Sequence, residues 1–67
     1  MNNALIAVDQ QATICRVLRD GWEWQVKFQG SYWTARAVDA ATRFNLQDQV
    51  YVVGRQNLVL LIQPLKP

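Results

Sequence analysis

Between Trp22 and Ala37 the chain alternates apolar and polar residues so strictly that few folds can use it. Trp22, Trp24, Val26 and Phe28 take every second place, and Glu23, Gln25, Lys27 and Gln29 take the places between. A period of two puts the four apolar groups on one face of a β-strand, whereas a helix would scatter them around its axis. Gly30 interrupts the run, and Trp33, Ala35 and Ala37 resume it against Tyr32, Thr34 and Arg36. The pattern predicts a hairpin turning at Gly30-Ser31, with Trp22, Trp24, Phe28 and Trp33 all pointing inward.

Further strands follow from the same logic. Ala12 to Leu18 suits a first strand, but Ile14 and Leu18 fall on one face while Cys15 and Val17 fall on the other. A bulge reconciles them. Asp20-Gly21 is a hairpin turn. Val38 to Gln49 loses the period and reads as a connection with at most one helical turn, from which Phe44 and Leu46 plug the core. Val50 to Val53 and Leu58 to Gln63 are strands apolar on both faces, joined by a turn over Gly54 to Asn57, where Asn57 tolerates the left-handed conformation. Pro64 and Pro67 end the last strand. The expected organisation is an entry segment over 1–11, a barrel domain over 12–64 and a tail over 65–67. Five short strands best satisfy their edges by closing, so the expected fold is all-β, a small five-stranded OB-like closed barrel. A Src-homology-type barrel is the second choice.

Composition narrows the class. A chain of 67 residues is one domain, and it buries only about 60% of its unfolded surface. No disulfide can brace it, because Cys15 is its one cysteine, and the absence of histidine removes the usual zinc spacings. The core must therefore be dense. The apolar run Ala4 to Val8 is too short to span a bilayer or to serve as a secretory core. The expectation is a cytoplasmic chain, membrane-associated only through a partner. The net charge of +2 is spread without runs of one sign, which describes a solvated surface better than a nucleic-acid stripe.

Catalytic chemistry has little to stand on. Histidine is missing as a general base, Cys15 lacks a histidine partner, and the five acids sit singly in turns or on polar faces. Gly21, Gly30 and Gly54 are spaced as turn residues and form no phosphate loop. The expectation is no catalytic residue, no metal and no cofactor. Two surfaces remain. If Val50, Val52, Leu58, Leu60 and Ile62 fill the barrel, then Tyr51, Val53, Val59 and Leu61 form an outward apolar cluster. Such a cluster marks a contact surface, a self-association face, or a patch covered by the Leu5-Ile6 segment. Tyr32 with Arg36 and Lys27 is the minimum platform for stacking single-stranded nucleic acid, the alternative function of an OB barrel.

The stretch Gly30-Ser31-Tyr32-Trp33-Thr34-Ala35 resembles the G-x-x-W-x-A segment of NfeD-like C-terminal domains. Val50 to Pro64 is similar to that family's closing V-x-V-V-x-x-x-G-L-x-L-x-V-x-P. The resemblance covers roughly Ala12 to Pro64. Asn57 and Gln47 stand where the family usually has glycine, and the transmembrane helices that commonly precede the domain have no counterpart here. The resemblance implies an OB barrel acting as a non-enzymatic protein-interaction module, an adaptor for stomatin- and prohibitin-like membrane scaffold proteins. The partner-binding residues are then expected to be Tyr51, Val53, Val59 and Leu61, with Tyr32 and Arg36 as a second contact. Some longer members carry a serine protease domain, and no segment here matches one.

Overall fold

The structure is a computed structural model that describes residues 10–65. The expected entry segment, up to Asp9, and the last two residues of the tail lie outside the described residues. Five strands follow one another: β1 (Gln11–Arg19), β2 (Glu23–Phe28), β3 (Ser31–Ala37), β4 (Gln49–Gln56) and β5 (Val59–Pro64). They close in the order β1-β2-β3-β5-β4. Every neighbouring pair is antiparallel except β3 and β5, which run parallel. The expected five-stranded closed barrel is the observed one.

Inward-facing pairs build the core by complementing size. Trp24 faces Ala35 across β2–β3, and Ala35 faces Leu60 across β3–β5. Ile14 pairs with Val26, Ala12 with Val50 and Val52 with Ile62. All nine of these side chains are buried. A bulky ring opposite a methyl group lets a narrow barrel fill without voids. Phe28, Trp33 and Ala37 pack partly buried against this core.

Bulges curve the walls. The β1–β2 register shifts at Cys15 and again at Leu18, which accounts for the broken parity of this strand. Cys15 is half-buried. Beyond Thr13, β1 leaves the cover of β4, so Val17 and Leu18 are exposed although Val17 pairs with Trp24. The hairpin turn falls at Gln29-Gly30, one residue earlier than the pattern predicted. Both residues have positive φ (51° and 83°), the two-residue geometry that matches strand twist. The β4–β5 turn is likewise shorter than expected. Gly54 to Gln56 continue β4, and only Asn57-Leu58 turn the chain. Asn57 takes the left-handed conformation at φ 56°.

Three expected core residues are outside. Trp22 is 46% exposed, Leu46 54% and Leu58 75%. Trp22 precedes β2 in a turn closed by its own amide donating to the Arg19 carbonyl (3.0 Å), so the strand, and with it the alternation, starts one residue after it. Leu58 lies in the two-residue turn beyond the last ladder pair, Gln56 with Val59. Leu46 sits in a loop fixed by the Asn45 amide on the Asp48 carboxylate (2.9 Å) and the Gln47 amide on the Ile14 carbonyl (2.9 Å). That tie leaves Leu46 in solvent. Of the two, Phe44 is the one that plugs this end of the barrel, edge-on to Trp24 with ring centroids 5.0 Å apart. The connection holds two turns, from the Thr42 amide to the Asp39 carbonyl (2.9 Å) and from the Asp48 amide to the Asn45 carbonyl (3.1 Å), and no helix.

Candidate functional site

Among the described residues, the end of the barrel opposite Phe44 is open. Here β2 finishes at Phe28, β3 begins at Ser31 and soon brings in Trp33, and β4 runs on past its last pair with β1. A groove of about 730 Å³ lies between them, with Phe28, Trp33, Val52 and Leu60 among its lining residues. The β4 register against β5 shifts between Val52 and Gly54. That extra residue reverses parity, so Arg55 pairs with Leu60, a core residue, and its guanidinium stands 5.6 Å from the Trp33 ring centre. Among the described residues, Arg55 is therefore the one charged residue lining a groove whose apolar floor is also edged by Gln10, Gln29 and Gln63. Cation–π contact of this kind is worth roughly 0.5–1 kcal/mol at an exposed site.

The expected contact residues divide. Tyr51 and Val53 line this groove, and Val53 is 51% exposed. Val59 and Leu61 lie half-buried on β5, paired with Thr34 and Arg36 of β3. Leu61 packs against the face where Gly54 has no side chain. They continue the β4–β5 wall without lining the groove. Tyr32 and Arg36 belong to the outer face of β2–β3. Tyr32 is exposed with the Lys27 ammonium 5.8 Å from its ring centre. Arg36 donates to the Glu23 carboxylate (3.2 Å) and lies 4.8 Å from the Trp22 ring centre. Arg19 also pairs with Glu23 (3.3 Å) and approaches Trp22 at 5.6 Å.

The sequence reading overlooked Phe28, Trp33 and Arg55 as groove residues. Its usable signal was Gly54, since an isolated glycine inside an apolar strand marks a bulge, and a bulge moves the next side chain to the other face. Among the described residues no helix is long and apolar enough to cross a membrane, and no group of His, Cys, Asp or Glu is arranged to hold a metal.

The profile of the NfeD-like C-terminal, partner-binding domain family matches residues 6–64. The chain belongs to this family. No curated protein sequence matches it. Two solved structures are similar in fold. The soluble domain of a Corynebacterium glutamicum membrane protein, implicated in regulation of membrane protease activity, superposes with a TM-score of 0.72. It is 24% identical over 90% of this chain and 94% of that one. The C-terminal domain of a stomatin operon partner protein from Pyrococcus horikoshii superposes with a TM-score of 0.66. It is 22% identical over 87% of this chain and 86% of that one. The glycine positions of the NfeD-like pattern also find a physical reason: Gln47 and Asn57 both have positive φ here, at 75° and 56°.

Proposed function

We propose that this NfeD-like domain is a non-enzymatic adaptor that binds a stomatin-like protein through the open end of its barrel. The observation that carries the reading is the groove: Phe28, Trp33, Val52 and Leu60 beside an exposed Val53, edged by one arginine and three glutamines. Its volume falls in the range of specific binding sites, about 300–1,000 Å³. An apolar segment of the partner would seat between Trp33 and Val52, and Arg55 would meet an acidic group flanking that segment. Tyr51, Val53, Val59 and Leu61 form the wall the partner covers, with Tyr32 and Arg36 as a second contact. Partner burial of such a wall is driven by apolar area removed from water.

Titration calorimetry with a purified stomatin-like protein from the same genome tests this. Val53→Asp and Arg55→Glu change exposed side chains and keep the fold; each is expected to weaken binding at least tenfold. Unchanged affinity in both folded variants would sink the docking site.

A second reading, single-stranded nucleic acid on the outer face of β2–β3, gains from the unexpected exposure of Trp22, at the far end of the hairpin from exposed Tyr32, each with a cation over its ring. It loses because Glu23 already pairs with both Arg19 and Arg36. It predicts oligonucleotide binding that falls with salt and disappears in Tyr32→Ala/Arg36→Ala. Absence of binding in low salt disposes of it.

A further inference from the structure

We infer that the groove receives the free C-terminal end of a partner chain, with an apolar last residue in the trough and its α-carboxylate on Arg55. The claim rests on the docking site proposed above only for the identity of that partner. Charge sets the sign of the ligand. Among the described residues that line the groove, Arg55 is the one cation and none is Asp or Glu. Arg55 also meets no acid elsewhere among the described residues, where both ion pairs belong to Glu23. Position sets how the anion is attached. The bulge between Val52 and Gly54 brings Arg55 opposite Leu60, a buried residue that also lines the groove. The guanidinium then stands 5.6 Å from the centre of the Trp33 ring, itself part of the lining. An anion that meets it there lies directly beside the apolar group filling the trough. A chain end has that geometry, because its carboxylate is bonded to the Cα of the last residue. An aspartate or glutamate within a chain would carry polar peptide groups on both sides into the trough, at a cost in desolvation. Stacking on the ring also holds the guanidinium plane, so that its fork can take both oxygens of one carboxylate.

Two probes test this on the full chain without the partner. N-acetyl-leucyl-leucine ends in a carboxylate, and its C-terminal amide does not. In amide and indole shift mapping the acid should perturb Trp33, Val52 and Arg55, and it should bind roughly tenfold more tightly than the amide. Arg55 is exposed, so Arg55→Gln keeps the fold, and it should erase that difference. Arg55→Lys, which keeps the charge and loses the fork, should recover only part of it. Equal binding of acid and amide, absence of binding by the acid, or shifts away from the groove overturn the inference. Octanoate binding more tightly than the dipeptide would assign the groove to a fatty acid and overturn it as well. Discrimination by the dipeptides in a chain that fails to bind the stomatin-like protein upholds the inference and overturns that partner. The reverse result, no discrimination but partner binding weakened by Val53→Asp, keeps the docking site and overturns the chain end as its occupant.

Discussion

At one end of the barrel Phe44 stands edge-on to Trp24, and the connection that carries it is tied down at Asp48 and Ile14. At the other end Trp33 packs only partly against the core and Arg55 reaches over its ring. Both ends use large aromatic rings, yet one is sealed by chain that belongs to the barrel and the other is finished by a bulged strand and a rim. Sealing contributes stability; the open end gives up part of that gain and keeps apolar surface available for another segment. In a domain this small, most of the stabilising area must come from the middle and the plugged end.

The contrast makes unequal stability effects its first test. Phe44→Ala should lower the unfolding free energy by about 3–5 kcal/mol, the range for deleting a buried aromatic ring. Trp33→Ala, at the open end, should cost clearly less, about 1–2 kcal/mol, because much of the ring already meets solvent or the rim. Urea unfolding of the two variants compares them directly. Equal losses would mean that the open end is core after all.

A smaller effect comes from the loop that seals the plugged end. Gln47 holds positive φ, a conformation that strains any side chain bearing a Cβ. Gln47→Gly should raise the unfolding free energy by up to about 1 kcal/mol, read as a higher urea midpoint. A fall would show that the side chain contributes more than the strain removes. The smallest effect is away from both ends. Glu23→Gln removes two ion pairs that join a carboxylate only 13% exposed to arginines 64% and 47% exposed, so it should cost no more than about 1 kcal/mol and less in high salt. A salt-independent loss above that would contradict a surface role.

Much of the barrel was readable because a closed sheet keeps one face inward, and the period of two in β2 and β3 reports that face directly. The reading failed where alternation was carried past the last ladder pair. Trp22 and Leu58 keep the parity of buried neighbours but sit in turns, so parity no longer says where they point. The groove was less legible than the fold. Tyr51 and Val53 were found as outward apolar groups, but the bulge at β4 reverses parity. It brings Arg55 over Trp33, and no local pattern says what lies across the mouth. Leu46 and Phe44 are both apolar residues in one loop; only the Asn45–Asp48 tie decides which enters the core.

The docking claim is tested most directly by backbone amide shift mapping of the labelled chain titrated with the purified stomatin-like partner. The account predicts perturbations concentrated at Phe28, Trp33 and Tyr51 to Arg55, continuing along Val59 and Leu61, with Phe44 and the loop around it silent. Perturbations centred instead on Trp22, Tyr32 and Arg36, or on the plugged end, would contradict it.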